Sequence, residues 1–207
     1  SVDNNGNESS KTSDVSSLAH DTGGSYSLSF DGTDDYVDIN YSSGQITSEI
    51  SISAWIKKTD SEGTDHIIFN GCCQTDGSWY WGLMLEHSQA GGGIQPKVML
   101  KTDQGINGAG HKPTSGSGII APYSGWNHVA MTYGSNTLNI YLNGSTVHTE
   151  TIQGDQIIES DKVNIGAWEN NNNGSFSGSM NGILDDLSIW NEALTSSEIT
   201  ALYNSGT

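Results

Sequence analysis

Apolar and polar residues alternate in short runs along most of the chain, and turn pairs such as Asp31-Gly32 and Asn143-Gly144 separate these runs. A period of two is typical of strands that bury one face, and Asn-Gly between apolar runs is a strong hairpin signal. The pattern predicts ten or eleven strands, over residues 25–30, 36–40, 50–57, 65–70, 79–87, 97–102, 126–133, 138–142, 147–152, 162–167 and 183–190. Strands this short, with so many turns, indicate an all-β sandwich or barrel.

The end of the chain follows a helical pattern instead. Thr195 and Glu198 have the spacing of a capping box, in which each side chain bonds the backbone amide of the other residue. Ile199 and Leu202 then share one face of a helix, and Gly206 stands where a helix ends. We therefore expect one short C-terminal helix.

Two stretches lack such regular patterns. Residues 1–24 are mostly small and polar, which predicts a lead-in or a loosely attached first strand. Residues 103–124 form a long stretch rich in glycine, and structureless loops of this length in compact domains are often functional. The sequence thus predicts one domain, over residues 25–207.

The charge balance excludes several classes of partner. The 207 residues include 24 acidic and 7 basic ones, all seven lysine, and the formal net charge is −17. Nucleic-acid binding depends on Lys and Arg, and arginine is also the usual bidentate partner of anions, so we expect no nucleic acid, and no polyanionic ligand unless a metal ion bridges it. No apolar run has the length of a membrane span. The acidic, glycine-rich composition favours a secreted or cell-surface location.

The two cysteines, Cys72 and Cys73, are adjacent, so they cannot join distant segments. Two interpretations remain open: a pair of reduced thiols in a loop, or a strained vicinal disulfide that forms a rigid apolar knob. Their spacing excludes a Cys-X-X-Cys redox or metal site.

Three segments carry a family resemblance: SLSFDGTDDYVDI at 27–39, WNHVAMTYGSNTLNIYLNG at 126–144 and GILDDLSIWNEALTSSEI at 182–199. Together they resemble the laminin-G-like domains of the concanavalin A-like jelly-roll superfamily, in the form found on many bacterial secreted proteins. The resemblance implies two curved antiparallel sheets with loops at the rim of a concave face. It also implies that the first and third segments are adjacent and hold one structural calcium ion.

A calcium ion needs six to eight oxygen ligands, which acidic turns and neighbouring strands can provide. On the basis of this resemblance, we expect Asp31, Asp35 and Asp185 to be ligands. The alternative is that the aspartates of the turn only accept bonds from turn amides.

Aromatic residues are the candidates for a sugar platform, because sugar C–H faces stack on rings. Trp55 and Trp126 match core positions of the family, and Trp190 precedes the helix, so these three are predicted to be buried. Trp79, Trp81 and Trp168 lie beside candidate rim loops. The alternative for Trp81 and Trp168 is that the side chain points inward. The predicted ligand-binding residues are Trp79, Trp81, Trp168, Glu169, Asn170, Cys72, Cys73 and His66.

Patterns of catalysis are missing from the sequence. It contains no Glu-x-Asp-x-Glu run, no Gly-x-Ser-x-Gly elbow and no HExxH motif. We therefore expect no enzyme, but a carbohydrate-binding module of a secreted polysaccharide-degrading enzyme or adhesin, tethered to other domains. Its expected partner is a polysaccharide or oligosaccharide, neutral rather than anionic. The alternatives are a protein-binding adhesive domain and a structural spacer.

Overall fold

The computed structural model describes residues 27–60, 63–71, 80–87, 93–107, 125–170 and 175–206. The strands and the helix within these ranges are β1 (Leu28–Asp31), β2 (Val37–Asn40), β3 (Ile50–Lys58), β4 (Thr64–Asn70), β5 (Trp81–His87), β6 (Ile94–Thr102), β7 (Gly105–Asn107), β8 (Asn127–Gly134), β9 (Thr137–Leu142), β10 (Ser145–Thr151), β11 (Lys162–Ile165), β12 (Trp168–Asn170), β13 (Ser175–Ser177), β14 (Asn181–Trp190) and α1 (Ser196–Ser205).

The strands form two six-stranded antiparallel sheets and one small hairpin. The first sheet has the order β1-β14-β3-β8-β9-β10, the second has the order β2-β11-β4-β5-β6-β7, and β12 pairs only with β13. This arrangement confirms the predicted antiparallel sandwich of the jelly-roll type, with its one short C-terminal helix.

Alternation along the strands places the core between the two sheets. On β3, Ile52 and Ile56 are fully buried in the same cluster as Leu83 and Leu85 of the second sheet. Because successive side chains of a strand point to opposite faces, Trp55 lies on the outer face of the first sheet. Each sheet therefore also has an outer face, and the two outer faces differ in what covers them.

The helix α1 covers part of the first sheet's outer face. Thr195 caps it, with the reciprocal bonds to Glu198 that the sequence predicts. Ile199 then packs against Ala130 and Tyr141 of strands β8 and β9. Helix α1 has ten residues. No helix among the described residues is long and apolar enough to cross a membrane.

The sequence pattern missed the shortest strands. β12 and β13 flank an asparagine-rich run, and β7 lies inside the stretch predicted to be an irregular loop. Three residues are too few to show a period of two, so pairing with neighbouring strands decides these elements. The predicted lead-in over residues 1–24 lies outside the described residues, as does the remainder of the long loop, residues 108–124.

Candidate functional site

The outer face of the second sheet is closed by an aromatic cluster, which we call the Trp168 face. Trp168 stacks on His66 with ring centroids 5.6 Å apart and meets Phe69 edge-on at 6.0 Å. Met84 and Met99 complete the cluster from strands β5 and β6. Trp168 is half-buried, whereas the four residues beneath it are buried. The hairpin of β12 and β13 thus lays its tryptophan on the sheet as a cover.

Charges at the Trp168 face are paired. The Lys97 Nζ lies 2.9 Å from Oε1 of Glu86, and the Lys162 ammonium contacts the carboxylate of Glu169. Each pair joins one cation to one anion, so the charges within each pair balance.

Two of the predicted ligand-binding residues, Trp81 and His66, are buried out of reach of a ligand, and we correct both predictions. Trp81 is 0% exposed, because its position on β5 turns the indole into the space between the sheets, edge-on to Tyr41 at 6.1 Å. His66 is buried beneath Trp168, and its Nδ1 lies 3.1 Å from the carbonyl oxygen of Gly178. Burial lowers the pKa of His66 to about 4, so the imidazole is neutral at neutral pH. Neither side chain can reach a ligand hydroxyl.

The other predicted residues have mixed outcomes. Glu169 is mostly buried and paired with Lys162, and Asn170 lies on β12 opposite Ser175. Cys72, Cys73 and Trp79 lie outside the described residues, so the vicinal disulfide and the Trp79 platform stay predictions.

The predicted metal ligands do not all come together. The carboxylate oxygens of Asp31, Asp34 and Asp35 lie within 4.8 Å of one another in the turn after β1. In the strand register Asp31 pairs with Asn181, whereas Asp185 lies four residues further along β14, about 13 Å away at 3.3 Å per residue. The predicted set is therefore wrong in Asp185, and Asp34 is the nearer third carboxylate.

An open pocket lies on the outer face of the first sheet, and we call it the Trp126 pocket. Its volume is about 380 Å³, and its lining includes Trp55, Trp126, Asn143, Asp185, Asp186 and Tyr203. Trp126 is 42% exposed. Indole rings, carboxylates and an amide therefore share one cavity that is open to solvent.

A β-bulge brings the two carboxylates to the same pocket. In a regular strand, Asp185 and Asp186 would point to opposite faces of the sheet. Strand β14 is irregular between Asp185 and Ser188, and Asp186 has a φ of 48°. The Asp186 amide also donates a hydrogen bond of 2.9 Å to Oδ1 of Asp185. Bulges are known to redirect side chains in this way.

Stacked rings form the back of the pocket. The rings of Trp55 and Tyr203 are 5.6 Å apart and nearly parallel, and His128 lies 5.4 Å from Trp55. Gly206 sits so close to the Trp55 indole that a side chain there would clash. His128 is 98% buried, since its exposed fraction is 2%, and its Nδ1 has no hydrogen-bond partner among the described residues. Burial lowers the pKa of His128 to about 4, although the Asp186 carboxylate acts in the opposite direction.

The exposure of Trp126 corrects a further prediction, because we expected this residue in the core. Val129, Met131 and Tyr133 on β8 are all buried between the sheets. Trp126 and His128 fall at the alternate, even-numbered positions, so strand alternation places them on the outer face. This alternation is visible in the sequence, and the assignment of Trp126 to the core, which relied on the family resemblance, overlooked it.

A family model with the description concanavalin A-like lectin/glucanases superfamily, of the laminin-G type, matches residues 31–200. The chain belongs to this superfamily. Among curated proteins, no sequence matches this chain.

Solved structures with the same fold have low sequence identity to the chain. A native heptameric SAP-like pentraxin from Limulus polyphemus is 20% identical, with a TM-score of 0.63 over 84% of this chain and 80% of the pentraxin. Domain 4 of an extracellular arabinanase from Geobacillus stearothermophilus, in complex with arabinotriose, is 17% identical, with a TM-score of 0.54 over 76% and 68%. The binding domain of botulinum neurotoxin DC, in complex with rat synaptotagmin II, is 18% identical, with a TM-score of 0.57 over 83% of this chain and 40% of that domain. These likenesses show a lectin-like fold.

Proposed function

We propose that the protein is a non-catalytic carbohydrate-binding domain, and that the Trp126 pocket is its binding site. The observation that carries this proposal is the exposed indole of Trp126 beside Asp185, Asp186 and Asn143 in one open cavity. A sugar presents an apolar C–H face to such a ring and donates its hydroxyl hydrogens to carboxylate and amide oxygens.

The shape of the pocket suits binding better than the Trp168 face does. The rings of Trp55 and Tyr203 are fixed by stacking and by α1, so little side-chain freedom is lost when a ligand binds. At the Trp168 face, the tryptophan already covers His66 and Phe69, and its remaining exposed surface is small. The arabinanase domain in complex with arabinotriose supports a glycan as the ligand class. Such domains serve as accessory modules, and we extend the proposal to a secreted or cell-surface protein with further domains.

Affinity electrophoresis against a panel of neutral and acidic polysaccharides tests the proposal. We expect retardation by at least one glycan, and loss of that retardation in Trp126→Ala. Tyr36→Ala is the matched control, since Tyr36 is also an exposed aromatic residue but lies outside the pocket. Equal retardation of the Trp126→Ala and unsubstituted proteins would exclude this site. Release of reducing sugar by the purified domain would contradict the non-catalytic role.

Protein binding is a second candidate function, and a different surface favours it. Tyr36 and Val37 are exposed, and the Tyr36 ring stacks on Phe176 at 3.7 Å. Exposed apolar residues in contact with each other are typical of docking surfaces. Under this alternative, Tyr36→Ala rather than Trp126→Ala would abolish capture of a partner protein.

We also propose a structural calcium ion at the turn after β1. Asp31, Asp34 and Asp35 fit part of a calcium site, since they provide three clustered carboxylates and the turn can add backbone oxygens. The same carboxylates also bond amides of the turn: Oδ1 of Asp31 accepts from the Thr33 amide at 2.8 Å, and Oδ2 of Asp35 accepts from the Asp31 amide at 2.9 Å.

Calorimetry with calcium tests this site. We expect calcium to raise the melting temperature of the unsubstituted protein and a chelator to reverse the rise. Asp34→Asn should weaken the effect, and Asp38→Asn, which removes an exposed carboxylate of β2, should not. The absence of any shift at millimolar calcium would refute the metal site while leaving the glycan proposal intact.

A further inference from the structure

We propose that Lys58 and Asp65 form an intramolecular amide bond, a covalent cross-link between the two sheets of the sandwich. Lys58 is the last residue of β3 in the first sheet, and Asp65 is the second residue of β4 in the second sheet. This modification is independent of the glycan-binding function proposed above. It rests on how these two side chains meet Asp60 and Asn181.

Lys58 lies in a position that lysine rarely takes. It follows Ile56 by two residues on β3, so its side chain points between the sheets, and 0% of that side chain is exposed. Its Nζ lies 2.7 Å from Oδ2 of Asp65 and 2.8 Å from Oδ1 of Asp60. All three of these atoms are sealed from solvent. An amine nucleophile and a carboxyl group are thus held in contact at a dry site.

The charge of this site favours the loss of an ion pair. Among the described residues, two carboxylates share the one ammonium of Lys58, and removing charges from water is costly. Burial raises the pKa of Asp65, although Lys58 acts in the opposite direction. Transfer of a proton from Lys58 to Asp65 leaves an amine and a carboxylic acid, the neutral pair that desolvation favours. These are also the two forms that condense to an amide.

Asn181 positions both carboxyl groups. Its backbone N–H donates to Oδ1 of Asp65 at 3.0 Å, and its side-chain amide donates to Oδ2 of Asp60 at 2.7 Å. The first bond places a donor on the oxygen that becomes negative when an amine adds to the carboxyl carbon of Asp65, as in an oxyanion hole. The second bond holds Asp60 with its other oxygen against Nζ, where that oxygen can accept a proton.

The condensation balances without a further reactant. The Nζ lone pair attacks Cγ of Asp65, so that a C–N bond forms and negative charge develops on Oδ1. Asp60 accepts a proton from the nitrogen and passes it to Oδ2 of Asp65, the C–O bond breaks, and one water molecule leaves. The products are a neutral amide and an unchanged Asp60 carboxylate. An open cavity lined by Asp60, Asp65 and Ser179 gives the water an exit.

The amide makes the connection between β3 and β4 part of a covalent ring. The two sheets then stay joined at this end of the sandwich even when a protease cuts the connection. An ion pair has no such effect, because it separates when the chain unfolds. The bond and the ion pair are therefore distinguished by measurements on unfolded protein.

Intact-mass spectrometry of the folded chain, unfolded and reduced only for the measurement, tests the cross-link. We expect a mass lower than the sequence mass by one water molecule. Cyclisation at an Asp-Gly pair such as Asp31-Gly32 loses the same mass, so two variants separate the reactions. Lys58→Met should restore the full mass. Lys57→Met is the matched control on the other face of β3, and it should keep the loss.

Digestion of the unfolded, reduced protein after glutamate residues locates the bond. Lys58 lies in peptide 50–62, and Asp65 lies in peptide 63–86. The cross-link joins them in one branched peptide, whose mass is the sum of the two less one water molecule. Asp60→Ala keeps both reacting groups but removes the proton acceptor. It should slow cross-linking by roughly tenfold or more, measured as the branched fraction over time after expression.

The mass of the unsubstituted protein decides the outcome, and this result holds even if a substitution prevents folding. The full sequence mass in folded protein, unchanged by prolonged incubation, would overturn the proposal and identify the site as an ion pair only. A loss of water that persists in Lys58→Met, or that maps outside the two peptides, would also overturn it.

Discussion

The two outer faces of the sandwich use the same kinds of residue for different purposes. Each buries a histidine against a tryptophan: His66 beneath Trp168 on one face, and His128 behind Trp55 on the other. On the Trp168 face the rings are closed over the sheet, and Glu86 and Glu169 are each paired with a lysine. On the other, Trp126 is exposed and the carboxylates share the cavity with rings. Exposure, more than residue type, distinguishes the structural cluster from the proposed binding site.

The largest effect expected of a single substitution sharpens this comparison through stability. Trp168→Ala should lower the free energy of unfolding by about 2–3 kcal/mol, because it uncovers Phe69, Met84 and Met99. Chemical denaturation measures this loss. A change below about 0.5 kcal/mol would mean that the tryptophan is not a structural cover.

Acid should lower the stability of the folded protein through one buried histidine on each outer face. His66 and His128 have folded-state pKa values of about 4, below the ordinary 6.5. Their contribution to stability is complete above pH 6.5, and it is lost as pH falls toward 4, because the unfolded chain takes up protons first. Each histidine contributes at most roughly 3 kcal/mol to this loss.

Denaturation midpoints between pH 7 and pH 4 measure the effect of acid, and His128→Gln should flatten the dependence. Burial raises the pKa of Asp65, which acts in the opposite direction and is unchanged in the variant. A dependence as steep in His128→Gln as in the unsubstituted protein would contradict the assignment to this residue.

The proposed binding face, with Trp126, should respond in the opposite manner to the Trp168 face. Trp126→Ala should lower the free energy of unfolding by no more than about 1 kcal/mol, less than Trp168→Ala, because 42% of Trp126 is exposed. The dissociation constant of the Trp126→Ala variant for a bound glycan should rise on the order of tenfold or more, because aromatic residues at the centre of an interface contribute strongly to affinity. Parallel denaturation and titration measurements separate stability from affinity. A large loss of stability in Trp126→Ala would mean that Trp126 is a structural residue, as Trp168 is.

The smallest expected effect concerns the charge pairs of the Trp168 face. The Lys162 side chain is 45% exposed, so its pair with Glu169 is screened by water. Lys162→Met should therefore change stability by less than about 1 kcal/mol in denaturation experiments. A larger loss would indicate that ion pairing, rather than ring packing, holds the hairpin on the sheet.

The sequence predicted the sandwich and the helix because both depend on local patterns. The period of two along β3 and the capping box at Thr195 were visible without a structure. The Trp126 pocket could not be predicted in this way. The bulge at Asp186 is what brings both carboxylates to one cavity, and Trp55 and Tyr203 meet only when α1 packs on the sheet. The wrong prediction of Asp185 as a calcium ligand also reflects tertiary structure, because strand register depends on contacts between residues distant in sequence.

A side-by-side titration of Trp126→Ala and Trp168→Ala with one retained glycan tests the central claim most directly. The account predicts that the first variant is stable but loses affinity, and that the second is destabilised but binds normally while folded. Full affinity in Trp126→Ala together with lost affinity in folded Trp168→Ala would contradict it, and would place the binding site on the opposite face of the sandwich.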